Sequence, residues 1–172
     1  MRVTETALAV MKERVLHEGE SPADMVERVV RTVAETAEQE RRFRDVMTNL
    51  HFLPNSPCLV NAGTKLGQLA ACFVLPVHDN IESIFQTLKD AAVIQKTGGG
   101  VGFNFSQLRP RDAHVFSTGG VASGPVSFMA IYNEATEQVK QGGRRRGASL
   151  SVLNVDHPDI REFILPQIQE VE

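Results

Sequence analysis

Cysteine is scarce and long hydrophobic runs are missing, and each shortage removes a class of protein. Two cysteines, Cys58 and Cys72, in 172 residues are too few for the disulfide framework of a secreted domain. Each reads in one of two ways, as a small buried apolar side chain or as a redox thiol in a reducing compartment. No apolar run approaches the ~20 residues that a membrane-spanning helix needs. The first residues include the charges of Arg2, Glu5, Lys12, Glu13 and Arg14, which is not the pattern of a secretory leader. A cytoplasmic protein is the expectation. An excess of one charge is also lacking: the formal net charge is −3, so nothing global favours nucleic acid or a membrane surface as partner. Basic charge is concentrated locally, at Arg144, Arg145 and Arg146.

What is present fits a folded domain. Apolar residues make up 42% and charged residues 23%, close to the globular average, which speaks against disorder. A compact domain of this length buries roughly 70% of the surface of its unfolded chain. Residues 5–17 read as a short amphipathic helix. Ser21-Pro22 reads as an N-cap followed by Pro at the first helical position, and apolar residues recur at spacings of three and four from Met25 to Leu50. That is one long or broken amphipathic helix, whose charged face carries Arg41, Arg42 and Arg44. The character changes near Pro54, where PNSPCLVNAGTKLG reads as an irregular loop rich in turn formers. The expected organisation is a helical region over 1–52 and an α/β region over 53–172.

That second region alternates strand and helix. LAACFVL (69–75) reads as a buried strand, and Asp79-Asn80 as the cap of a helix running from Ile81 to about Lys96. Gly98, Gly99, Gly100 and Gly102 then introduce a strand, VGFNF. A polar loop and a helix from SGPVSF to about Gln141 follow. ASLSVL (148–153) reads as another strand, and His157-Pro158 starts a last helix. Three strands cannot close a barrel, and an open sheet leaves edges able to pair with another chain. The pattern is that of an incomplete α/β sheet or barrel, or of one that needs a partner.

Four constellations could carry chemistry. Asn55-Ser56-Pro57 with Asn61-Ala62-Gly63 could hold a phosphate or sugar hydroxyl through Ser56 and backbone N–H groups, or could be an ordinary turn. Cys72 follows the small Ala70 and Ala71, which would let a substrate approach a thiol, though a packed strand cysteine also fits. The run Gly98-Gly99-Gly100-Val101-Gly102 permits close backbone approach to a ligand. It is neither a dinucleotide fingerprint, since it closes a helix and opens a strand, nor a P-loop, since no Gly-Lys-Ser/Thr follows. Gly142-Gly143-Arg144-Arg145-Arg146-Gly147 suits bidentate contacts to phosphate or base, or is a basic turn. No metal-ligand set is read.

Taken in order, PNSPCLVNAG, QLAACFVLPVHDNIESI, KTGGGVGFNFSQLRP and GGRRRGASLSVLNVDHPDIREFI resemble the ribonucleotide reductase large chain, most closely its adenosylcobalamin-dependent class. The resemblance runs from about Leu53 to Ile164, with the helices before it matching the family's N-terminal helical region. It implies a fold in which helices precede the first strands and helices of a ten-stranded α/β barrel. It also implies thiyl-radical chemistry on a ribonucleotide, in which two further cysteines reduce the 2′ position and become a disulfide. Cys72 would be the first of that reducing pair, with Ser56, Ala71, Gly100 and Arg145 in the substrate pocket. Asp79, Asn80, Ile81, Arg109 and Phe116 would fall in the site for a deoxynucleotide effector, where some members carry a basic residue at the position of Phe116.

By the same resemblance the radical cysteine, the second reducing cysteine and most of the cobalamin pocket belong to a C-terminal remainder, without which the chain would be inactive. Cys58 would be a packing residue. The partners the resemblance implies are a ribonucleotide, a deoxynucleotide, that remainder and a second copy in a homodimer. A stand-alone nucleotide-binding or regulatory module, and an inactive truncated fragment, are the competing readings.

Overall fold

The computed structural model describes residues 3–139 and 148–169, and the side chains up to Leu165. By its contacts the chain divides into two compact units, Met1–Ala71 and Cys72–Glu172.

The first unit is helical: α1 (Glu5–Arg14), α2 (Pro22–Val33), α3 (Ala37–Thr48) and α4 (Ser56–Asn61). Ser21 caps α2 in a complete capping box, its hydroxyl accepting from Asp24 N–H while the Asp24 carboxylate accepts from Ser21 N–H. The apolar periodicity from 25 to 50 is broken into two helices. Thr36 caps α3 by accepting from Gln39 N–H, and the Gln39 side chain accepts from Glu35 N–H, so side chains replace the helical bonds at the break. Residues 54–67 are not wholly irregular as the turn formers predict. Asn55 accepts from Cys58 N–H and starts α4, whose Cys58 and Leu59 join Met25, Val29 and Val30 in the helical core. That packing carries the helical unit past the composition change at 52/53, and the contact division falls after Ala71.

An ion pair between Glu20 and Arg28, largely withdrawn from solvent, fastens α4. Arg28 Nε and Nη2 donate to the Glu20 carboxylate at 2.6 and 2.9 Å. Its Nη1 and Nη2 also donate to Ala62 O and Leu59 O at 2.8 and 2.9 Å, satisfying carbonyls at the end of α4. The Arg28 guanidinium holds the Glu20 carboxyl below its ordinary value, against the opposing effect of burial.

The second unit holds β1 (Cys72–Pro76), α5 (Ile81–Lys96), β2 (Gly100–Asn104), β3 (His114–Val115), β4 (Gly120–Val121), α6 (Pro125–Gln138), β5 (Ser149–Val152) and α7 (Ile160–Gln169). Strands β1, β2 and β5 form one parallel sheet in that order, with α5 and α6 as the crossovers. A two-stranded antiparallel ribbon, β3–β4, occupies the stretch expected to be a polar loop. One sheet face packs against the crossover helices around Phe103, Phe105 and Tyr132, whose rings meet edge to face at 4.8 and 5.2 Å. The Tyr132 hydroxyl donates to Ile84 O of α5.

The opposite face is open. Val74, Gly102 and Leu150 stand in one row across the three strands, with Val74 82% and Leu150 65% exposed. The expectation of a buried first strand therefore fails on alternate residues: Cys72, Val74 and Pro76 are exposed, while Phe73 and Leu75 are half-buried. Nothing among the described residues covers that face, so the apolar run 69–75 is only half used. No helix among them is long and apolar enough to cross a membrane.

Candidate nucleotide and thiol sites

Each site follows from where a strand begins or ends. Cys72 is the first residue of β1 and pairs in register with Gly100, the first residue of β2. Its thiol is free and exposed on the open face. Because Gly100 has no Cβ, a ligand can approach the backbone beside the thiol. Just upstream, Gly98 takes φ +86 and both Gly98 and Gly99 are buried, so the α5–β2 turn is tight where the strand starts. Cys58 differs in kind: it is buried in the helical core, and burial pushes its thiol up. That is the inert, packed environment, whereas an exposed thiol can react.

The other residues fall as follows. Ser56 is the exposed first residue of α4 in the helical unit, and Ala71, half-buried, is the last residue of that unit. Arg145, with Arg144 and Arg146, lies outside the described residues.

A second site forms where β1 ends. Asp79 and Arg109 are brought together from the β1–α5 turn and the segment after β2. Arg109 Nε donates to Asp79 Oδ2 at 2.8 Å, and Arg109 N–H donates to Asp79 Oδ1 at 3.2 Å. Both side chains remain about one-third exposed. A guanidinium has five N–H donors. With Nε engaged, its two terminal nitrogens have no partner among the described residues and can serve an anion. Asn80 is the N-cap of α5, its Oδ1 accepting from Ser83 N–H at 2.7 Å, and Ile81 opens the helix with its side chain exposed. A helix start with a neighbouring arginine is a setting that favours phosphate. Phe116 does not join this pair. It lies in the turn of the ribbon, 91% exposed, tilted against His114, and no hydrogen bond or ring contact links it to Asp79 or Arg109.

Two polar groupings escape sequence reasoning. Gln95, buried near the end of α5, donates to Thr136 Oγ1 at 3.1 Å and Ser149 Oγ at 3.0 Å, so α5, α6 and the start of β5 share one node. A polar residue at a position in phase with Ile84, Leu88 and Ala91 was the available signal, because a buried amide must find partners. The other is formed by His157, Asp159 and Glu162, which grip the segment that follows Leu108.

Comparison with known proteins agrees with this architecture. Residues 1–67 match the family model described as ribonucleotide reductase, all-alpha domain, and residues 70–171 match ribonucleotide reductase, barrel domain. A vitamin B12-dependent ribonucleoside-diphosphate reductase of Thermoplasma acidophilum is 64% identical over 129 residues, covering 75% of this chain and 17% of its own length. One from Mycobacterium tuberculosis is 47% identical over 179 aligned residues, covering 95% of this chain and 26% of its own. In fold, the chain superposes on the alpha subunit of the class Id ribonucleotide reductase of Actinobacillus ureae with a TM-score of 0.81 at 20% identity, over 94% of this chain and 30% of that one. An all-helical unit followed by parallel strands of an unclosed barrel is thus the class of structure. The chain belongs to the ribonucleotide reductase large-chain family, and it spans about a fifth of the length of these two relatives.

Proposed function

We propose that this chain contributes to the reduction of ribonucleotides to deoxyribonucleotides, supplying one reducing thiol, part of the substrate pocket and an allosteric deoxynucleotide site. The observation that carries the reading is Cys72: a free, exposed thiol at the start of a parallel strand, beside a glycine that leaves room for a ribose. Reduction at C2′ takes two thiols, which lose two electrons and two protons to become a disulfide while the 2′-hydroxyl departs as water and C2′ gains a hydrogen. Cys72 is one of the pair. The sequence holds one other cysteine, Cys58, which is packed in the helical core, so the second reducing thiol and the radical-bearing thiol come from further barrel segments.

Adenosylcobalamin is the cofactor we propose for the assembled enzyme, in keeping with relatives named vitamin B12-dependent. The described residues do not by themselves fit it. The corrin brings its own cobalt ligands, so what the protein must add is an enclosed pocket, and the open sheet face among the described residues does not by itself provide one. No step is assigned to this chain through that group. The two relatives' names favour a nucleoside diphosphate as substrate. The effector is a deoxynucleotide bound through Asp79, Asn80, Ile81 and Arg109, with Phe116 assigned to it by the family resemblance alone, and Ser56, Ala71, Gly100 and Arg145 are on the substrate side. The setting is cytoplasmic.

The test supplies the remainder of a cobalamin-dependent barrel as a separate chain, with adenosylcobalamin and an external dithiol. Deoxycytidine diphosphate should form from cytidine diphosphate, and Cys72→Ser should abolish multiple turnover while Cys58→Ser should not. Absence of product with a correctly folded remainder counts against the reading. So does full activity of Cys72→Ser.

A further inference from the structure

We infer that the segment 157–159 leading into α7 is a positioning strut for Arg109: His157 and Asp159 fix the backbone around that arginine and so aim its terminal nitrogens. The inference rests on the proposed effector site and adds residues to it that touch no ligand themselves.

The segment 108–112 has no regular secondary structure, yet its backbone is satisfied from distant parts of the chain. Leu108 O accepts from His157 Nε2 at 3.0 Å. Arg109 N–H goes to Asp79, as described. Residue 110 is Pro, which has no N–H and holds Arg109 in the extended region. Arg111 N–H donates to Asp159 Oδ2 at 2.8 Å, and Asp112 N–H donates to Ala122 O at 2.9 Å. Arg111 also reaches Glu162 through Nη2 at 2.7 Å. Arg109 is therefore flanked on both sides by carbonyl and amide groups fixed from one short stretch, 157–159.

The strut is itself fixed. His157 Nδ1 accepts from Asp159 N–H at 3.1 Å, which leaves its Nε2 to carry the proton donated to Leu108 O. The imidazole is buried. Gly124, at φ +81, sits against the Asp159–Arg111 bond so closely that a Cβ there would lie 2.8 Å from Asp159 Oδ2 and 2.9 Å from Arg111 N. The N-terminus of α6 thus closes over the bond. No part of this arrangement uses the terminal nitrogens of Arg109, which is what a positioning role requires.

The experiment compares Asp159→Ala and Asp159→Asn in the whole chain, in otherwise native and Arg109→Ala backgrounds. Asn keeps a carbonyl acceptor for Arg111 N–H. Calorimetry with deoxyadenosine triphosphate should show roughly tenfold weaker binding for Asp159→Ala. Asp159→Asn should recover most of that loss, and Asp159→Ala should add none in the Arg109→Ala background. Equal losses in both backgrounds would mean that Asp159 merely supports the fold, and would overturn the inference. A second measurement does not depend on the effector. The NMR signal of Arg109 Nε–H, held by Asp79, should exchange rapidly in Asp159→Ala and stay protected in Asp159→Asn. An unchanged signal in Asp159→Ala also overturns the inference. If the native chain binds no deoxynucleotide, the effector reading fails while this signal still decides the strut.

Discussion

Tyr132 shows how one side chain reports on the sheet unit. It is the single tyrosine in a chain without tryptophan, and it is buried against Phe103 and Phe105 with its hydroxyl donating to Ile84 O. Burial pushes its phenol up to about 12, against a smaller lowering influence from Thr87. The folded value lies above the unfolded one, so the stability that comes from the neutral phenol is complete below about pH 10 and is lost as pH rises towards 12. Alkaline titration followed at the tyrosinate absorbance should show almost no ionisation at pH 10.5, where an exposed tyrosine is mostly ionised. Ionisation near pH 10 in the folded chain would contradict the packing. At this scale the sequence was legible where a residue sits in a motif. Cys72, Asp79 and Arg109 stood out, and the last two are in contact. The grip of Arg28 on the carbonyls of Leu59 and Ala62, or of His157 on Leu108 O, was not legible. Such bonds join a side chain to a distant backbone group that any residue type would offer.

Elements were legible in type and less so in their ends. The crossover helices and the three parallel strands follow from hydrophobic period and glycine punctuation, and they fall within a few residues of the expected positions. A broken helix was one of the two readings over this stretch, but the place of the break was hidden, because the apolar spacing continues from Val30 through Val33 to Ala37 and only Thr36 marks the new start. That cap is testable. Thr36→Ala removes the acceptor for Gln39 N–H in an exposed setting and should lower the stability of the helical unit by about 1 kcal/mol. Thr36→Ser keeps the acceptor and should lower it by much less. Denaturant melts read by circular dichroism separate the two, and equal losses would show that the cap contributes nothing. β1 teaches the converse lesson. A run of apolar residues predicted burial on both faces, and the structure buries one. The period-2 signal was masked because apolar residues also stand on the open face.

At the scale of the whole molecule, two units with separate cores need not be equally stable. The helical unit closes its core around α2, with the Glu20–Arg28 pair fastening α4. The sheet unit leaves Val74, Leu150 and Val152 exposed on one face and both edge strands of its three-stranded sheet unpaired among the described residues. Apolar area that stays in water contributes nothing at roughly 25 cal/mol per Å², so the sheet unit forgoes much of what a closed barrel would gain. Three strands in the sequence already pointed to that shortfall. The contact division after Ala71 lies beyond the composition change near Pro54, because that change precedes a helix whose Cys58 and Leu59 pack into the helical core. The chain carries its own probes for the two units: Tyr132 lies in one and buried Cys58 in the other. In urea, the loss of Tyr132's buried absorbance should come first. Pulsed thiol labelling of Cys58 in a Cys72→Ser background should come at distinctly higher denaturant. Coincident transitions would mean that the two units unfold as one cooperative body and that the open face costs the sheet unit little. A gap between them would mean that the helical unit persists after the sheet is lost. In that case the strand bearing Cys72 and the connecting segments bearing Asp79 and Arg109 depend on further barrel segments for much of their order.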